Sequence, residues 1–273
     1  MLETGQTLII TGSSRGIGRA LALGLAQQGL NLVLNARQEG PLQEVAEQCR
    51  CGRTNVASLA GNAAQDQVAL GLVEMALGMG GFLGFIHAAA VLHPGPYLWE
   101  YSARQQAEVL DSILLGGANL VRHAVPNLLE AGQGLAIFMS SESVVGHTPG
   151  LGLYALANTA LEFLMRQLAA ETQVVTTFLF CPAAVDTRLQ RDGREAQGGA
   201  AHVIRPIFHQ YHEQGLLMTP EQSAEALISV LNSPWRWLHG QEVDARKVLS
   251  NGVATSSGAA QPVCPVSFQV PLR

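Results

Sequence analysis

Eight residues near the N-terminus, Thr11-Gly12-Ser13-Ser14-Arg15-Gly16-Ile17-Gly18, set glycines at 12, 16 and 18 between an apolar run and an amphipathic stretch. Glycine there lets the backbone turn tightly and brings a helix N-terminus close to a bound phosphate. Free N–H groups and the helix dipole then favour a pyrophosphate. Glycine spacing alone is weak evidence. It gains weight here because Leu8-Ile9-Ile10 reads as a strand before it and residues 16–28 as a helix after it. The chemistry implied is dinucleotide binding, with Gly12, Ser13, Ser14, Arg15, Gly16, Ile17 and Gly18 as contacts. The next apolar run ends Leu34-Asn35-Ala36-Arg37, with no carboxylate to grip the 2′-hydroxyl of NAD. Arg15 and Arg37 can instead pair with a 2′-phosphate, so NADP(H) is expected in preference to NAD(H). The alternative is that both arginines are ordinary solvated surface residues.

Other residues with ligand chemistry point nowhere specific. The four cysteines are Cys49, Cys51, Cys181 and Cys264, and Cys49-Arg50-Cys51 has neither zinc-knuckle spacing nor a second pair. They read as thiols in a reducing compartment. His209 and His212 lie one turn apart without a third ligand, as on a solvated helix face. No metal site is expected.

The elements that must position these residues alternate from end to end. Apolar runs at 8–10, 32–34, 56–59, 82–88, 135–139, 174–180 and 241–245 read as strands. Helical spacing covers 16–28, 40–50, 65–77, 103–131, 152–171 and 200–214, and Thr219-Pro220-Glu221-Gln222 opens another helix with a good N-cap and Pro at N1. Repeated βα units imply an α/β fold. The expectation is a single-domain Rossmann fold, a doubly wound parallel sheet of about seven strands with helices on both faces. The domain is expected to span 1–249, with a polar, glycine-rich loosening after Pro182 and a mobile lid near 188–215. The Ser-, Gly-, Ala- and Pro-rich tail, 250–273, is expected to be extended or poorly ordered.

Composition narrows the class. With 48% hydrophobic and 14% charged residues over 273 positions, the chain suits one large domain whose sheet is buried on both faces, and excludes disorder. A net charge of −5 without basic runs argues against nucleic acid or an anionic membrane as partner. The start has no basic, cleavable leader, so a cytoplasmic location is expected. Ala69 to Leu92 is apolar apart from Glu74 and His87, but Gly78, Gly80 and Gly81 split it into a helix and a strand rather than a membrane span.

Spaced Thr-Gly-x-x-x-Gly-x-Gly, the glycine turn resembles that of the short-chain dehydrogenase/reductase family, and the likeness runs over roughly residues 5–250. Asn62 stands where the family has an Asp contacting adenine, and His87-Ala88-Ala89-Ala90 where it has Asn-Asn-Ala-Gly. Pro182-Ala183-Ala184-Val185-Asp186-Thr187 resembles the segment that holds the nicotinamide amide. The resemblance therefore adds Asn62, Ala88, Ala89, Asn158, Pro182, Val185 and Thr187 as cofactor contacts, with Ala90 and Ala183 replacing glycines. It implies Tyr154 as the acid for carbonyl reduction and Ser141, thirteen residues earlier, as the donor holding the oxygen; Ser143 is the other candidate. Two family residues are missing. Asn158 stands in the lysine position and Ile113 in that of the asparagine, and Lys247 is the only lysine in the chain. Arg166 and Arg188 are candidates by position to supply the lost charge.

A free tyrosine has a pKa of about 10, so only about 0.1% is phenolate at pH 7, and no lysine is at hand to raise that fraction. Alcohol oxidation needs the phenolate, whereas reduction needs the phenol. The expected activity is slow, NADPH-dependent reduction of a small-molecule carbonyl. Trp99, Tyr101, Leu153, Phe208 and Tyr211 are candidates to line an apolar pocket, and a homodimer or homotetramer is implied by the family's paired helices. The rivals are a non-catalytic NADP(H)-binding sensor whose lid signals to a partner, and a homologue that has lost the cofactor.

Overall fold

The computed structural model describes residues 1–50, 54–142 and 146–251. Ser143, Cys51, Cys264 and the tail from residue 252 lie outside the described residues. Seven strands, β1 (Thr7–Thr11), β2 (Asn31–Ala36), β3 (Val56–Ala60), β4 (Phe82–His87), β5 (Gly134–Met139), β6 (Val175–Cys181) and β7 (Glu242–Asp244), form one sheet in the order β3-β2-β1-β4-β5-β6-β7. Every pairing is parallel. β1, β2 and β6 are buried along their whole length, as continuous apolar runs in a sheet covered on both faces require.

Successive side chains alternate between two cores. Leu8 and Ile10 join Leu32, Leu34, Phe178 and Phe180 on one face, while Ile9 joins Val33, Phe85, Phe138 and Leu179 on the other. Leu21 and Leu25 of α1 (Gly16–Gln27), Leu42 of α2 (Glu39–Cys49) and Leu227 of α9 (Pro220–Leu231) seal the first. Leu72 of α3 (Asp66–Met79), Leu120 of α5 (Gly116–Glu130) and Leu161 of α6 (Gly152–Glu171) seal the second. There the rings of Phe85 and Phe138 meet edge to face at 5.5 Å.

The structure differs from the sequence expectation in three places, and in two of them the cause is local. The single helix read over 103–131 is α4 (Ala103–Leu110), a π-helical turn (Asp111–Leu115) and α5 in succession. At that turn His87 reaches into the helix and takes the carbonyl of Ile113, and a Cβ on Gly116 or Gly117 would sit 3.1 or 3.2 Å from the imidazole ring. The loosened stretch after Pro182 contains a further helix, α7 (Arg188–Arg194), packed on α8 (Ala201–Glu213). Gly193 hid it in the sequence; its bare backbone accepts the Phe208 ring, which a Cβ would meet at 2.1 Å. The chain also forms a 3₁₀ turn (Arg236–Leu238) and α10 (Ala245–Asn251), neither of which the periodicity predicts. The apolar stretch at 69–92 is the end of α3, a turn at Gly80 and Gly81, and β4, and among the described residues no helix is long and apolar enough to cross a membrane.

Candidate active site

The loops at the carboxyl ends of β1 and β4 meet where strand order reverses, the place where open α/β sheets form a ligand crevice. Closure is tight enough to demand glycine. A Cβ at Gly12 would lie 2.8 Å from the backbone of Ala88 and Ala89, and one at Gly18 2.3 Å from the Gly12 carbonyl oxygen. Above this turn opens a cavity of about 450 Å³. Gly12, Ser14, Arg15, Gly16, Ile17, Gly18, Arg37, Asn62, Ala88, Ala89, Ser141, Tyr154, Asn158, Pro182, Val185 and Thr187 all line it. Ser13 does not. Its side chain is fully buried and its hydroxyl donates to Asn35 O at 3.1 Å, tying the turn to β2 rather than facing the cavity. The bare backbone at the head of α1 and the arginine-rich rim suit a dinucleotide phosphate.

At that rim Arg15 and Arg37 are joined by Arg188 from α7. Burial and then the positive charges of Arg188 and Arg37 lower the Arg15 pKa, with Asp192 opposing. The sequence offered Arg188 and Arg166 as substitutes for a lysine beside Tyr154. Neither is among the groups that act on the Tyr154 phenol: Arg188 couples to Arg15, and Arg166 holds Glu162 on the outer face of α6. Asn62 is drawn aside from a simple adenine contact, because its Nδ2 donates to Asp111 Oδ2 at 3.2 Å and its Oδ1 accepts from Ala64 N–H at 3.1 Å.

Tyr154 and Asn158 occupy one face of α6, as i and i+4 must. The Asn158 amide is buried and donates back to the Tyr154 carbonyl oxygen at 2.9 Å. Burial pushes the Tyr154 pKa up; Ser141 and Asn158 beside it pull the other way without offsetting the burial. Ala183, at a glycine position of the family, has φ +64°, a left-handed conformation that strains any residue with a Cβ.

The residue least legible in the sequence is His87. Thr11 Oγ1 accepts from the N–H groups of Ala88 and Ala89 at 3.2 and 3.3 Å, so its own proton goes to His87 Nδ1 at 2.8 Å. That leaves Nε2–H to donate to Ile113 O at 2.9 Å. One neutral imidazole thus ties the strand bearing the glycine turn to the π-helical turn, and burial lowers its pKa to about 4. The sequence signals were a polar residue ending the apolar β4 and its place at the head of a segment where the family has Asn-Asn-Ala-Gly; neither indicated its partners.

Beyond Tyr154 the walls are apolar: Leu92, Leu151, Ile204, Ile207, Phe208 and Tyr211. Of the aromatic and aliphatic candidates, Phe208 and Tyr211 are there and three are not. Trp99 is 80% exposed and stacks on Tyr97, Tyr101 is buried with its hydroxyl donating to His93 O, and Leu153 is in the core. Glu142, next to Ser141, also lines the cavity and accepts from Arg246 Nη1 at 3.1 Å. Its carboxylate, the Cys181 thiol and Asp244 lie within 4.8 Å of one another. Arg246 already engages that carboxylate, and burial raises the thiol pKa so that it stays protonated.

Comparison with known proteins follows the same lines. The sequence model of the family described as short chain dehydrogenase matches residues 6–198. An NADPH-dependent pterin aldehyde reductase of Arabidopsis thaliana is 28% identical over 192 residues, 69% of this chain and 78% of that protein. The KRED1-Pglu enzyme superposes with a TM-score of 0.78 at 24% identity, covering 87% of this chain and 100% of that one. An alcohol dehydrogenase from the archaeon Thermococcus sibiricus, solved with 5-hydroxy-NADP, gives 0.72 at 24% identity, covering 88% and 95%.

Proposed function

The chain belongs to the short chain dehydrogenase family, and from that premise we propose that it is an NADP(H)-dependent carbonyl reductase working with a reduced catalytic set. The observation that carries this reading is the cavity itself, which joins the glycine cradle and its arginines to Tyr154 and Ser141 in one space. Bound NADPH would supply the hydride. Arg15 and Arg37 hold its 2′-phosphate, Gly12 to Gly18 the pyrophosphate, and Pro182, Val185 and Thr187 the nicotinamide end. Ser141 holds the carbonyl oxygen while charge builds, and the Tyr154 phenol donates the proton. The raised Tyr154 pKa favours this direction, because it keeps the phenol protonated and starves the reverse reaction of base. Reduction by an NADPH-dependent relative supports the same reading. The substrate is a small, largely apolar carbonyl compound. We take residues 188–215 as a lid over it and read the exposed apolar face of α6 as a pairing surface between copies of the chain.

A specific observation favours a second reading, a non-catalytic NADP(H) sensor: the lysine position holds a neutral asparagine, which bonds the Tyr154 carbonyl and brings no positive charge to the phenol. Cofactor titration combined with a panel of activated diketones and quinones separates the two. NADPH should bind at least several-fold tighter than NADH, reduction should be measurable at pH 7, and oxidation of the matching alcohol should be far slower. Tyr154→Phe should abolish reduction and leave NADPH affinity nearly intact. Tight NADPH binding with no reduction across the panel would install the sensor, and equal affinity for the two cofactors would defeat the arginine argument.

A further inference from the structure

Arg188 stands at the first position of α7, next to Thr187, whose Cγ2 lies only 3.3 Å from where a Cβ on Gly16 would be. The start of α7 is therefore held against the first turn of α1. Arg15, Arg37 and Arg188 line the main cavity and also an adjoining cleft of about 470 Å³ between α7 and the loop after β4. They form the wall the two spaces share. One carboxylate opposes the three guanidiniums at close range, Asp192, with Oδ1 3.7 Å from Arg188 Nε. Across the cleft Glu108 is engaged by Arg104 and His93, each at 2.8 Å, while Glu195 lies on the same wall as Asp192. With Glu108 held by Arg104 and His93, Asp192 and Glu195 stand against three arginines, which leaves positive charge for a phosphate to pair with.

We propose that Arg188 is a third 2′-phosphate ligand, so that selecting NADPH and fixing the lid over the substrate end are one event. The proposal rests on the NADP(H) reading above. Its mechanical link is on α7: Gly193 carries the Phe208 ring of α8 against its backbone, and Phe208 lines the substrate end of the cavity. Without the phosphate, the like charges on Arg15 and Arg188 oppose each other and weaken the hold of α7 on α1; with it, both arginines close on one dianion. NADH supplies no such bridge, and neither does AMP.

Amide hydrogen exchange across residues 188–213 of the full-length protein tests this, alongside titration of each cofactor. Saturating NADPH or adenosine 2′,5′-bisphosphate should slow exchange in α7 and α8, whereas saturating NADH or AMP should not. Arg188→Met should weaken NADPH about tenfold, leave NADH within about twofold, and remove the protection even at saturating NADPH. Asp192→Asn should hold or tighten NADPH affinity. A wild-type preference for NADPH that survives Arg188→Met, or equal protection by NADH, overturns the proposal alone. Equal affinity of the wild type for both cofactors overturns it together with the reading beneath it.

Discussion

At the scale of single residues, the chemistry turns on how far a buried phenol can act without a cation. Desolvation and the missing lysine push the Tyr154 equilibrium the same way, toward the neutral acid. Asn158→Lys is the direct test. An ammonium at that position should lower the Tyr154 pKa and move the onset of alcohol oxidation toward neutral pH. A folded, NADPH-binding variant with an unchanged pH profile would show that Tyr154 is not the titrating group. Adding Ile113→Asn is less clean, since Ile113 is buried in the core and its carbonyl already belongs to His87. Ala183 is the other residue with a definite prediction. At φ +64° its Cβ costs about 1–2 kcal/mol, and glycine gives part of that back to the unfolded chain. Ala183→Gly should therefore raise the urea midpoint modestly, by up to about 1 kcal/mol in stability; a lower midpoint would mean the conformation is not strained.

Among the elements, the contact that matters most is the one His87 makes between β1, β4 and the π-helical turn. In the unfolded chain histidine titrates near 6.5, while the folded side chain stays neutral down to about 4. Between those values the unfolded state binds a proton that the folded state refuses. Stability should therefore fall as pH drops from about 6.5 toward 4, and be indifferent to this group above that window. By pH 5 the loss is on the order of 2 kcal/mol. Thermal unfolding at pH 7 and pH 5 should show a smaller gap in His87→Asn than in the wild type. An unchanged gap would move the acid sensitivity elsewhere.

For the molecule as a whole, the exposed apolar residues of α6 are the surface we propose pairs with a second copy. Leu156 and Phe163 are 54% and 69% exposed and seven residues apart, hence on one helix face. Sedimentation should find a dimer or tetramer, and Phe163→Glu should shift it toward monomer without lowering the melting temperature of the monomer fold. A monomeric wild type would leave that face to another partner.

Much of this architecture was legible in residue order. Short apolar runs bounded by turn residues, such as Leu8-Ile9-Ile10 and Leu32-Val33-Leu34, suit strands buried on both faces, and the glycines at 12 and 18 mark where two backbones approach too closely for a Cβ. These signals are local, so periodicity and composition carry them. The identity of the glycine turn and of the Tyr154–Asn158 face belongs to the same class. What only the tertiary structure decided depends on residues far apart in the chain. His87 bonds a π-helical turn twenty-six residues away, Phe208 packs on Gly193 of a helix the periodicity did not show, and Ser13 turns inward to β2 instead of toward the cavity. Arg188 reads in sequence as a candidate to replace the lost lysine charge, and becomes the third of a cluster only because α7 folds back on α1. Local pattern fixes which elements exist; the chemistry at their ends is set by which side chains the packing brings within a few ångströms, and no spacing along the chain encodes that distance.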